Sequence, residues 1–91
     1  NSIAVLSPAI GNLNALKILE LSDNQITSLP SSIGQCKNLE ELSLSYNYIS
    51  TIPNTIFELN RLKILELEDN PIPESRKAEL REQFNKTEIW F

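Results

Sequence analysis

One spacing constrains this chain more than any other feature of it. Leucine and asparagine recur every 23 residues along three ungapped segments, Leu16 to Ile26, Leu39 to Ile49 and Leu62 to Ile72. Each segment follows the pattern L-x-x-L-x-L-x-x-N-x-I. The stretches between them repeat as well: Leu29-Pro30-Ser31-Ser32-Ile33 matches Ile52-Pro53-Asn54-Thr55-Ile56, and Cys36 falls where Leu59 falls. Run backwards, the same period collects Asn1, Ile3, Leu6, Ile10 and Leu13, so the chain starts inside a repeat, at its asparagine. We expect from this an excerpt or a cleavage product of a longer chain. A fixed period of this length marks stacked units, none of which buries its own apolar face alone.

Two shorter periods lie inside each unit. Leu19 and Leu21, Leu42 and Leu44, and Leu65 and Leu67 alternate, which points each pair into a core from a short strand. Pro30 and Pro53 stand where a short helical turn can begin, at its first position. Ile33 with Cys36, and Ile56 with Leu59, then follow at i and i+3 on one face of that turn. Asn24, Asn47 and Asn70 come just past the strands, where the chain must bend. An asparagine amide both donates to and accepts from backbone groups that such a bend leaves unpaired, and stacking would set the three in a ladder.

These residues resemble the leucine-rich-repeat family over Asn1 to Ile72. The 23-residue unit with L-P-x-x-I in its convex half is similar to the kind found in intracellular Ras-associated repeat proteins and in many bacterial ones. The resemblance implies an α/β fold: a right-handed solenoid with a concave parallel sheet and short helical turns on the convex side. Beyond it, Glu74 to Phe84 is rich in helix formers and sets Leu80 and Phe84 at i and i+4. Thr87 to Phe91 reads as a strand in which Ile89 and Phe91 replay Leu65 and Leu67. Helix and strand together look like the C-terminal cap of bacterial family members. The expected organisation is one domain over 1–91: a partial repeat (1–15), repeats at 16–38, 39–61 and 62–73, and a cap (74–91).

Catalysis finds little support. The chain has no histidine, which removes Ser-His-Asp and Cys-His arrangements and most zinc sites. Its glycines, Gly11 and Gly34, form no phosphate-binding loop. Cys36, at a leucine-like position, is expected to be a buried, inert thiol that forms no internal disulfide. No cofactor is expected. The pair Glu66 and Glu68 lies on the outer sheet face in a repeating pattern, which argues against a hydrolase dyad. Asn85-Lys86-Thr87 fits a glycosylation sequon, a match that chance also supplies.

The formal net charge is −4, and it lies wholly in residues 1–73, because the acids and bases of 74–91 balance. Nucleic acid is a poor partner for such a chain. No apolar run reaches membrane-span length and no signal segment opens the sequence, so a cytoplasmic location is expected, with a secreted bacterial effector as the alternative.

Function in the family usually lies on the concave sheet face, and the repeat fixes which residues that is. One row is Ile18, Glu41 and Ile64; the next is Glu20, Ser43 and Glu66, continued by Trp90 if the last strand is in register. Beyond them come Ser22, Ser45 and Glu68, then Asp23, Tyr46 and Asp69, with Tyr48 past Asn47. With Glu40, seven of the twelve acids fall on or beside this face, against Lys17 and Lys63. Like charges on neighbouring strands would repel, so two readings stay open: solubilisation of an open sheet, or reception of a basic protein. Ile18, Ile64, Tyr46, Tyr48 and Trp90 are apolar or aromatic where solvent is expected, either as interface anchors or as packing between repeats. A targeting module of a larger enzyme and a structural spacer are the alternative functions, and the uncovered N-terminal edge is expected to favour self-association.

Overall fold

The computed structural model describes residues 2–91; Asn1, expected at the head of the asparagine ladder, lies outside them. Strands β1 (Ile18–Glu20), β2 (Glu41–Ser43), β3 (Ile64–Glu66) and β4 (Glu88–Trp90) form one parallel sheet in chain order. Leu19 pairs with Leu42, Leu42 with Leu65, and Leu65 with Ile89, so the core leucines stack in register from strand to strand. Leu42, Leu44 and Leu65 are fully buried. Each contributes about 1.5–3 kcal/mol by leaving water. Leu16, Leu19 and Leu21 on β1 and around it are only half-buried, because among the described residues β1 is the edge strand.

Past each of the first three strands the backbone turns left-handed at the same point of the repeat, at Asp23 (φ 60°), Tyr46 (φ 60°) and Asp69 (φ 56°). The asparagine that follows closes the bend and ties neighbouring repeats together. Asn47 Nδ2 donates to Leu44 O at 2.9 Å and to Leu21 O of the preceding repeat at 3.0 Å, while its Oδ1 accepts from Ile26 N at 3.0 Å. Asn70 repeats these bonds to Leu67 O, Leu44 O and Ile49 N. The ladder predicted from the spacing is present. It satisfies carbonyls and amides that a buried bend would otherwise leave unpaired.

Among the described residues, the convex side carries three 3-10 turns, Pro8–Asn12, Ser31–Gln35 and Asn54–Glu58. Pro30 and Pro53 sit one residue earlier than expected, at the N-cap with extended ψ of 151° and 150°, rather than at the first helical position. There they need no N–H, and their carbonyls accept from Ile33 N and Ile56 N at 3.1 Å. Only Pro8 takes the first helical position, behind the Ser7 hydroxyl, which accepts from Ala9 N.

Stacking of the turns depends on the position shared by Gly11, Gly34 and Phe57. A Cβ on Gly34 would lie 2.5 Å from Thr55 O of the next turn, and one on Gly11 would meet Ser32 O at 2.9 Å. Glycine is required wherever another turn follows. Phe57 is tolerated because the chain next forms α1 (Glu74–Gln83), whose C-cap Phe84 packs on it with ring centroids 5.4 Å apart. Leu80 is fully buried and Phe84 nearly so, as their spacing predicts. Arg76 clamps α1 down, donating to Ile52 O (2.6 Å) and Asn54 Oδ1 (2.9 Å) while lying over the Phe57 ring. The last strand is shorter than expected, Glu88–Trp90, with Thr87 turned aside to donate to Leu62 O at 2.7 Å. Phe91 is held under Lys77 and Arg81 of α1.

Candidate protein-binding face

The sheet register assembles the expected rows. Ile18, Glu41 and Ile64 align, and Glu88 extends the row; Glu20, Ser43, Glu66 and Trp90 align beside it. Backbone bonds from Asp23 N to Ser45 O and from Tyr46 N to Glu68 O carry the ladder on to the row of Ser22, Ser45 and Glu68 and that of Asp23, Tyr46 and Asp69. Trp90 thus stands in register on the face, half-exposed, and does not cover the end of the core. Glu88 was missed in the sequence, although the signal that placed Trp90 also places it.

The register corrects the expectation of stacked like charges. Within each row an acid is flanked by a neutral residue: Glu41 by two isoleucines, Glu66 by Ser43 and Trp90, Asp69 by Tyr46. The serines also bind their acidic neighbours. Ser43 donates to Glu66 Oε1, and Ser45, buried at 3% exposure, donates to Glu68 Oε1 at 3.3 Å and accepts from Glu68 N at 3.2 Å. Ser22 N donates to Glu20 Oε1 at 2.8 Å. That bond, with help from the Ser22 and Ser43 hydroxyls, holds the Glu20 carboxyl below its usual range against a small opposing effect of burial. The acids are positioned by neighbours rather than crowded together.

Among the described residues, the ion pairs are Lys37–Glu58, Lys63–Glu40, Arg76–Glu79 and Lys77–Glu74. Glu40, counted with the face, is therefore engaged with Lys63 at 3.5 Å, whereas Glu20, Glu41, Glu66, Glu68, Asp23 and Asp69 enter none of these pairs. Cys36 is fully buried, its thiol donating to Ile10 O at 3.3 Å and pushed up in pKa by burial.

The aromatic residues of the face and Ile18 are open to solvent. Ile18 is 60% exposed, Tyr46 52% and Tyr48 62%; Ile64 is half-buried. Tyr46 also occupies a left-handed conformation, which costs a bulky residue about 1–2 kcal/mol. Aspartate, at the equivalent places in the flanking repeats, adopts that conformation more readily.

The sequence profile described as "Leucine rich repeat" matches residues 14–72. The chain belongs to the leucine-rich-repeat family. A solved leucine-rich-repeat protein of Leptospira interrogans superimposes on the chain with a TM-score of 0.96 and 41% sequence identity. The match covers 100% of this chain and 23% of the Leptospira chain, so this leucine-rich-repeat segment spans about a quarter of that protein's length. No curated protein sequence matches significantly. Leucine-rich repeats generally mediate protein–protein interaction and serve as binding modules rather than catalysts. Among the described residues, no helix is long and apolar enough to cross a membrane.

Proposed function

We propose that this leucine-rich-repeat chain recognises a protein partner with a basic surface through its open sheet face, with Tyr46 and Tyr48 as anchors and Glu20, Glu66, Glu68 and Asp69 as the complementary charge. The observation that carries this reading is Tyr46. Its half-exposed aromatic ring is held in a backbone conformation that aspartate, its counterpart in the flanking repeats, adopts more readily. Strain of that kind concentrates where side chains meet ligands. The acids, each held by a serine or set beside an apolar residue, offer a face of one sign that would speed encounter with a basic partner. On this reading Glu74 to Phe91 is the terminal cap, which leaves the face of the sheet free for binding.

The test is affinity capture with the chain and with a Tyr46→Ala/Tyr48→Ala variant, both checked for an unchanged melting transition. Loss of the captured partner from the variant supports the reading, and an identical set of partners sinks it. A spacer role is separated by reversing charge at Glu66 and Glu68. That change would leave a spacer unaffected and abolish binding.

A further inference from the structure

The sheet face repeats with a longer period than the fold. The six residues Leu16-Lys17-Ile18-Leu19-Glu20-Leu21 recur without change as Leu62-Lys63-Ile64-Leu65-Glu66-Leu67, two repeats later, whereas the unit between reads Leu39-Glu40-Glu41-Leu42-Ser43-Leu44. The core requires only the leucines. Nothing in the packing requires Ile18 and Glu20 to be copied by Ile64 and Glu66. In the sheet the two copies share rows and are separated by β2 alone, which sets them about 9–10 Å apart, two strand spacings.

Resting on the proposed protein-binding role of this face, we infer that it holds two half-sites of identical sequence, the Ile18/Glu20 pair exposed and the Ile64/Glu66 pair half-buried, for one basic peptide segment in polyproline II conformation. The segment crosses the strands and carries Lys or Arg at positions i and i+3. Each half-site sets an isoleucine beside a carboxylate. This suits a long cationic side chain, whose aliphatic stem lies on the isoleucine while its charge reaches the acid. The spacing selects the conformation. A polyproline II segment returns a side chain to the same side every three residues, about 9.3 Å on. A β-strand does so at about 6.6 or 13 Å. A helix comes close only at i and i+7, about 10.5 Å, but its backbone is internally bonded. A polyproline II backbone has open carbonyls, and the face offers them donors in the Tyr46 and Tyr48 hydroxyls and the Trp90 indole N–H, all on half-exposed or exposed residues.

Trp90 is the single tryptophan and stands on the face, so its fluorescence reports binding directly. The 91-residue chain is titrated with synthetic peptides carrying two arginines at i,i+2, i,i+3 or i,i+7, and with an i,i+3 glutamate control. The i,i+3 arginine peptide is expected to bind at least about fivefold more tightly than any other. Glu20→Gln and Glu66→Gln should each weaken it by a similar factor of about two to five, as for one partly exposed ion pair. Equal affinity at all spacings, preference for i,i+7, absence of binding, or sensitivity to only one glutamine change overturns the inference. Panning a random peptide library on the same chain separates this failure from failure of the face itself. Neutral binders lost on Tyr46→Ala/Tyr48→Ala overturn the half-sites and keep the face, whereas binders indifferent to the tyrosine and glutamate changes sink both.

Discussion

Tyr46 and Asp69 share one backbone conformation, at φ 60° and 56°, although one side chain suits it and the other does not. Replacing Tyr46 by asparagine, which tolerates the left-handed region, is expected to stabilise the chain by about 0.5–1 kcal/mol. The same change should weaken partner binding. Chemical denaturation and a binding titration on the same variant check both. A variant that is less stable than the parent would show that the tyrosine ring packs rather than binds.

Asn47→Ala removes a side chain that satisfies Leu44 O, Leu21 O and Ile26 N across two repeats at a buried site. The expected loss is on the order of 3 kcal/mol, since buried backbone groups are left without partners. Asn24→Ala, nearer the open β1 side, should cost less. Urea midpoints of the two variants give the comparison.

Gly34→Ala should destabilise by about 1–3 kcal/mol, because the added methyl meets the Thr55 carbonyl rather than a yielding side chain. Gly11→Ala should cost somewhat less, since its nearest contact is the flexible end of Gln35 and the backbone atom it meets, Ser32 O, lies at 2.9 Å rather than 2.5 Å. Equal effects at the two positions would contradict this account of turn stacking.

Burial raises the Cys36 pKa, so the folded state keeps the thiol protonated where an unfolded chain would release the proton. The stability from this group is full below the unfolded thiol range, about pH 8.5, and falls as pH rises above it. A thiol reagent at pH 8 should label Cys36 at the rate of chain opening and not at the rate of a free thiol. Rapid labelling of the folded chain would place the side chain at the surface.

Arg76→Ala should loosen α1, costing about 1.5–3 kcal/mol for lost charge-assisted bonds to Ile52 O and Asn54 Oδ1. Arg76→Lys should restore only part of it, because the ammonium cannot hold both acceptors and stack on Phe57 in the same way. Hydrogen exchange in residues 74–83 reads the difference.

The repeat makes the sheet legible in the sequence: the pairing of Leu19, Leu42 and Leu65, the asparagine ladder and the rows of the face all follow from one spacing. Trp90 was placed by treating Ile89 as another strand leucine. What the spacing could not carry was lateral context. Whether acids repel depends on what lies beside them, and the serines at 43 and 45 are ordinary residues until the register sets them against Glu66 and Glu68. Arg76 was equally hidden, since a lysine- and arginine-bearing helix reads as a solvated surface until one side chain is seen to reach back to Ile52. The left-handed turn at Tyr46 was masked by the residue itself, which gives no sign of it, whereas Asp23 and Asp69 at least belong to a type that tolerates such turns.

The column of Gly11, Gly34 and Phe57 sets where the array can be lengthened. A duplicate of residues 16–38 spliced in before Leu39 would place a glycine at both new turn junctions, and each copy would widen the sheet by about 4.8 Å. The same cassette placed behind Phe57 would push its turn into an aromatic ring. Growth is accommodated wherever the preceding turn carries the glycine and barred behind Phe57, so a designer, or gene duplication, can extend the face by inserting repeats ahead of the phenylalanine.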